Sequence, residues 1–202
     1  MKRWWLGVAL ATTAIASLVF AQARTDAAKE PAKKAELGQQ APDFSLKDVY
    51  GKTFTLSEFK DKIVVLEWVN HECPISRGKH TDQTMQNTYA KYAERGVIWL
   101  GIDSTHSNTA DTVRVAAAKH HLTFPVLLDP DGKVGRTYSA RTTPHMYVVD
   151  RKGKLVYSGA IDDRKEQEGV NHVAAALEDL LADKPVATSR TDPYGCGVKY
   201  AK

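Results

Sequence analysis

The sequence predicts an α/β sandwich: a central mixed β-sheet flanked by helices, extended at its N-terminal side by a β-hairpin. Two observations carry this. Short β-branched runs alternate with longer amphipathic stretches through the middle of the chain, as parallel strands with crossover helices do. Near the end, two apolar runs stand too close together to be anything but antiparallel neighbours.

The hairpin comes first. Phe44 to Leu46 and Thr53 to Thr55 flank Asp48-Val-Tyr-Gly51-Lys52, alternating residues around a turn that ends in glycine. Leu56 to Phe59 reads as one helical turn. Ile63 to Val69 is apolar almost throughout and predicts a strand covered on both faces. From Pro74 to Arg95 the apolar positions thin to Ile75, Met85, Tyr89 and Tyr92, which predicts one amphipathic helix closed by Gly96.

Val97 to Ile102 gives a second central strand, and Asn108 to His120 a helix that completes a βαβ unit. Phe124 to Leu128 is a further strand, Asp129 to Gly132 a turn, and Val134 to Tyr138 a short helix. His145 to Asp150 and Leu155 to Gly159 form the closing antiparallel pair, and Val173 to Leu181 the last helix. From Pro185 onward the chain reads as irregular.

Upstream of the domain stand Met1-Lys2-Arg3, an uncharged and mostly apolar run from Trp4 to Phe20, and Ala21-Gln22-Ala23. A basic start, a short apolar core and small residues at the cleavage positions predict a secretory signal peptide over residues 1–23, cut after Ala23. An uncleaved anchor is the alternative. No cysteine follows the cut, so no lipid anchor is expected. Residues 24–36 hold no large apolar side chain and predict a flexible linker. Residues 37–185 then form one domain and residues 186–202 a tail. Cleavage removes Lys2 and Arg3 and takes the formal charge from +4 to +2. That balance does not supply the basic patch of a nucleic-acid binder.

The chain has two cysteines, Cys73 and Cys196. Export sends both to an oxidising space, where disulfides persist. Cys73 lies where a buried strand meets a long helix, with Pro74 at the first helical position. Unpaired amides and the helix dipole there favour an anion, so Cys73 is expected to be a nucleophilic thiolate. Arg77 and Lys79 are expected to assist and Glu72 to oppose. The alternative is a buried cysteine of purely structural use.

The segments Val64–Pro74, with Cys73 inside it, Thr143–Asp150 and Gly153–Gly159 resemble the redoxin group of the thioredoxin superfamily. That group includes the alkyl hydroperoxide reductase/thiol-specific antioxidant proteins and the extracytoplasmic thioredoxins. The resemblance covers about Leu37 to Leu181 and implies a thioredoxin-like fold. It also implies that Cys73 is a redox nucleophile and that Thr143-Pro144 is a cis peptide beside it, whose preceding backbone pairs with a bound thiol partner. An ordinary trans proline opening an edge strand is the alternative.

Two departures from the family narrow the chemistry. Its peroxidases carry proline seven residues and threonine three residues before the peroxidatic cysteine, and an arginine that would stand at Pro144. Here those positions are Leu66, Asn70 and Pro144 itself. Asn70 retains a hydrogen-bond donor. Its dithiol members carry a second cysteine where this chain has Ser76, so Cys73-Pro-Ile-Ser76 is a monothiol motif.

Cys196, between Gly195 and Gly197 in a tail expected to be loose, is the one candidate to resolve Cys73. A static bridge and no pairing stay open. Glu67, inside the apolar strand, is either a buried carboxylate that exchanges a proton with the thiol or a strand-end side chain in water. His71, His80 and His145 are read as a polar mouth around the thiol. Asp162-Asp163 is read as a turn or helix start.

The expected protein is an exported, peroxiredoxin-like thiol oxidoreductase that needs no cofactor or metal. Its partners are a thiol reductant, a disulfide-bearing client or a hydroperoxide, with neither nucleic acid nor a stable membrane anchor. The rival is a non-catalytic metallochaperone or client-binding assembly factor.

Overall fold

The computed structural model describes Met1, residues 33–164 and residues 169–202. The predicted signal peptide beyond Met1, and the predicted linker up to residue 32, lie outside the described residues.

A seven-stranded mixed sheet forms the centre, in the order β2 (Thr53–Thr55), β1 (Ser45–Asp48), β5 (Val126–Leu128), β4 (Ile98–Asp103), β3 (Val64–Trp68), β7 (His145–Val149) and β8 (Leu155–Gly159). The hairpin β1 (Ser45–Asp48) and β2 (Thr53–Thr55) is joined to it, because β1 pairs antiparallel with β5 (Val126–Leu128). It is an edge of the main sheet rather than an appendage. A single turn of 3-10 helix, Leu56–Phe59, leads into β3 (Val64–Trp68), which is buried from end to end.

β3 pairs parallel with β4 (Ile98–Asp103), and β4 parallel with β5. On its other side β3 pairs antiparallel with β7 (His145–Val149), which pairs antiparallel with β8 (Leu155–Gly159).

Side chains alternate across β3. Ile63 and Val65 point to one face, where Met85 and Tyr92 of α2 (Thr84–Ala93) and Val173, Ala176 and Leu177 of α5 (His172–Leu181) cover them with Trp99, Met146 and Val148. Val64, Leu66 and Trp68 point to the other, against Leu100, Ile102, Tyr138 and Tyr147. A smaller group, Val49, Val69, Val113 and Val126, seats α3 (Ala110–Lys119). α4 (Lys133–Thr137) follows the Asp129 turn, whose carboxylate accepts from the amides of Val134 and Gly135 at 3.2 and 2.9 Å.

The helix predicted over Pro74 to Arg95 is two helices. α1 (Pro74–Thr81) ends at Asp82, and Gln83 takes a left-handed conformation, φ 65°, before α2 begins. Asp82 Oδ1 accepts from both the amide and the hydroxyl of Thr84, at 2.9 and 2.6 Å. That local bonding competes with a continuous helix and restarts it.

The tail is irregular for most of its length but is not loose. Ser158 N–H donates to Ser189 O at 3.0 Å, Thr191 Oγ1 accepts from Ala160 N–H at 2.9 Å, and Tyr200 donates to Ala140 O at 2.8 Å. Two short strands escaped the sequence reading, β6 (Thr142–Thr143) and β9 (Cys196–Gly197), which pair antiparallel with each other. At the opposite end Ala35, inside the predicted linker, donates to Thr137 O at 2.9 Å and packs on the core. Among the described residues no helix is long and apolar enough to cross a membrane.

Candidate active site

β3 delivers the chain to a turn that Asn70 organises. Its Oδ1 accepts from the Glu72 amide at 2.8 Å, and its main-chain oxygen accepts from the Cys73 amide at 3.1 Å. Ser76 Oγ accepts from the Asn70 amide at 3.3 Å, so the residue standing where a second cysteine would be expected serves as a brace. Cys73 is the N-cap of α1 and Pro74 its first residue, with no side chain capping that end. The first amides of α1 have no partner within the helix, and with the helix dipole they favour negative charge at this end, a setting suited to a thiolate. Cys73 is 2% exposed.

Cys73 and Cys196 form a disulfide, with Cα atoms 5.8 Å apart. The pairing of β6 with β9 places Thr143 opposite Cys196. The Cys73 sulfur is 3.2 Å from Thr143 O, and the Cys196 amide donates to it at 3.3 Å. The Thr143–Pro144 peptide is cis. Four of the predicted residues, Cys73, Cys196, Thr143 and Pro144, thus meet at one point, and the tail strand lies along the backbone where the resemblance puts a bound thiol partner.

Glu67 does not reach water. It is fully buried, accepts from Trp99 Nε1 at 3.0 Å, and its other oxygen is 2.9 Å from His80 Nε2. His80 lies on α1 with its ring centroid 5.7 Å from that of His71 and 6.2 Å from that of His120, and His71 and His120 are 6.0 Å apart and nearly parallel. Burial, then repulsion from His80 and His120, pushes the His71 imidazole down to about 3. His120 is also lowered, first by burial and then by His80. Glu67 therefore joins a buried histidine group under α1. His145 stands apart from it: its Nδ1 accepts from the Arg141 amide at 3.3 Å, and burial followed by the Arg141 charge lowers it to about 3. Among the described residues no group of three or more His, Cys, Asp or Glu is arranged to hold a metal ion.

Lys79 does not serve the thiol. Its ammonium is 2.6 Å from Asp162 Oδ2 and 3.8 Å from Asp82 Oδ2. Asp162, read from sequence as a turn residue, also accepts from the phenol of Tyr194 through Oδ1. Burial works against the Asp162 carboxylate, and the bonds from Lys79 and Tyr194 more than offset it, holding its pKa below the ordinary value. The sequence gives Asp162 only a turn or helix start and gives Tyr194 no role. A tyrosine immediately before a Gly-Cys-Gly run in a polar tail was the available signal.

Residues 37–158 match the AhpC/TSA family. Thiol-disulfide oxidoreductase ResA of Bacillus thuringiensis subsp. konkukian is 30% identical over 135 residues, which covers 67% of this chain and 76% of that protein. The crystal structure of a hypothetical protein from Sinorhizobium meliloti 1021 superposes with a TM-score of 0.74 at 28% identity, covering 84% of this chain and 97% of that one. The thioredoxin domain of a thiol-disulfide oxidoreductase from Bacteroides vulgatus shares the fold, with a TM-score of 0.53 at 22% identity over 62% of this chain and 89% of that one. With its helix-capping cysteine, its cis-proline and this match over most of the domain, the chain belongs to the AhpC/TSA family.

Proposed function

We propose that this protein is a thiol-disulfide oxidoreductase in which Cys73 and Cys196 are the exchanging pair, and that a client peptide takes the place along β6 that the tail strand holds in the oxidised protein. The observation that carries this is the register of Thr143 against Cys196 beside the Cys73 sulfur. A purely structural bridge has no need to lie on the backbone that precedes the cis-proline.

In the reduced protein the Cys73 thiolate attacks one sulfur of a client disulfide, and the other client sulfur leaves as a thiolate. The Cys196 thiolate then attacks Cys73 in the mixed disulfide, freeing the client as a dithiol and closing the internal bridge. The protein gives up two electrons, and an external dithiol restores them. Glu67, 2.9 Å from His80 Nε2 on the helix that Cys73 caps, is assigned to the proton exchange of the thiol.

A hydroperoxide is the weaker substrate, because the positions where the family's peroxidases carry proline, threonine and arginine hold Leu66, Asn70 and Pro144, and Leu66 is buried in the core. The signal peptide over residues 1–23 places the work outside the cytoplasm, with residues 37–185 as the redox domain and 186–202 as the resolving tail.

The test treats reduced wild type, Cys73→Ser and Cys196→Ser with a disulfide and, separately, with peroxide, and follows thiol state by mass. Cys196→Ser is expected to accumulate a mixed disulfide on Cys73, wild type to pass to the internal bridge, and Cys73→Ser to stay unreacted. Absence of Cys73 modification at catalytic rates, or a bridge with a potential below about −300 mV, overturns the proposal. In the same protein Glu67→Gln is expected to shift the pH profile of Cys73 alkylation; an unmoved profile removes Glu67 from the site.

A further inference from the structure

The family match ends at residue 158, so Asp162, Tyr194 and Cys196 lie beyond it. The bridge spans 123 residues of sequence, and some device must return the tail to Cys73 each time the pair is reduced. A candidate for that device is visible in the contacts of one carboxylate.

Asp162 follows β8 and is partly buried. Its two oxygens hold two different parts of the site. Oδ2 is 2.6 Å from the ammonium of Lys79, on α1, the helix that Cys73 caps. Oδ1 accepts from the phenol of Tyr194, two residues before Cys196, and from the Arg164 amide at 3.0 Å. The Arg164 guanidinium covers the Tyr194 ring at 4.0 Å from its centroid, and Tyr194 is 8% exposed. One side chain therefore links the helix of the nucleophile to the segment of its partner.

We propose that Asp162 is a positioning residue for the redox pair: by tying Lys79 to Tyr194 it holds Cys196 against Cys73 and so sets how readily the bridge closes. This rests on the reading of the two cysteines as an exchanging pair. The link acts as a tether does, raising the effective concentration of the Cys196 thiol at Cys73. It touches neither sulfur, and its influence is confined to the equilibrium and rate of closure.

The experiment equilibrates the protein with glutathione buffers. There the two protein thiols and one glutathione disulfide exchange to give the internal bridge and two glutathione thiols. Wild type, Asp162→Asn, Tyr194→Phe and the double variant are compared at one pH. Tyr194→Phe keeps the ring under Arg164 and removes only the phenol oxygen, so it answers the question even if Asp162→Asn does not fold.

Each single variant is expected to lower the equilibrium constant for closure about tenfold, which is about 30 mV. The double variant is expected to go no further, because both substitutions cut the same link. Constants within about twofold of wild type overturn the proposal. So does a fall in unfolding midpoint, measured on the reduced proteins, with no change in the constant, because that is what a merely structural role produces. If wild type turns over a client disulfide while the variants keep its constant, the positioning role fails and the proposed function stands. If the constants move while wild type leaves every client disulfide untouched, the function fails and the positioning role stands.

Discussion

Gly195 has φ 132°, in the region that favours glycine, and a Cβ there would overlap the carbonyl of Thr143. Cys196 can reach the Cys73 sulfur along β6 only if the preceding residue has no side chain. Gly197, on the other side of Cys196, is different. A Cβ there would find its nearest neighbour, Arg141 O, at 3.9 Å, which is ordinary contact. Gly195→Ala is therefore expected to weaken tail docking by about 1–3 kcal/mol, seen as a smaller disulfide fraction in a fixed glutathione buffer. Gly197→Ala is expected to stay within about 0.5 kcal/mol of wild type. Equal behaviour of the two variants would remove the steric account. The sequence shows two glycines around a cysteine and nothing that separates them, because the distinction lies in the Thr143 backbone, 53 residues from Cys196, that only the fold brings close.

At the scale of elements, Asn171 shows how helix ends and helix packing are joined. Its Oδ1 caps α5 by accepting from the Ala174 amide at 2.8 Å, while its Nδ2 donates to Thr88 Oγ1 on α2 at 2.8 Å. Asn171→Ala is expected to cost about 1–2 kcal/mol in urea unfolding. Asn171→Asp keeps the cap, loses the donor, and is expected to recover part of that loss; if it is as damaging as alanine, the cap contributes nothing. The central strands were legible because their β-branched runs are local, and the start of α1 because Pro74 follows a buried strand. Elements decided by side-chain bonding or by distant contact were not. Asp82 and Gln83 contain no glycine or proline to mark the break between α1 and α2, yet the Asp82 carboxylate makes one. β6 and β9 are two residues each and exist only because they meet. The meeting of Glu67 with His80 and Trp99 was equally invisible, since the side of β3 to which Glu67 points is set by what packs over it.

At the scale of the molecule, the buried histidines tie stability to pH. His71 and His145 both fall to about 3 in the folded protein, against about 6.5 in an unfolded chain. Below about 6.5 the unfolded chain takes up two protons that the folded protein refuses until about 3, so stability is present above that pH and is lost on acidification. The limiting slope is about 1.4 kcal/mol per pH unit for each histidine. Burial raises the Asp103 and Asp129 carboxyls, an effect of opposite sign that favours the folded state as pH falls. Comparison with a variant isolates the histidines from it. The urea midpoint of oxidised wild type is expected to fall steadily between about pH 7 and 5, and that of the His71→Gln, His145→Gln double variant to fall much less. Parallel lines for the two proteins would show that these imidazoles take up protons without unfolding. His71 lies two residues before Cys73 and packs on His80 of α1, so its protonation would load the turn that holds the nucleophile. The acid limit of the fold and the acid limit of the redox site are then expected to coincide, and alkylation of reduced Cys73 measured across the same pH range checks that they do.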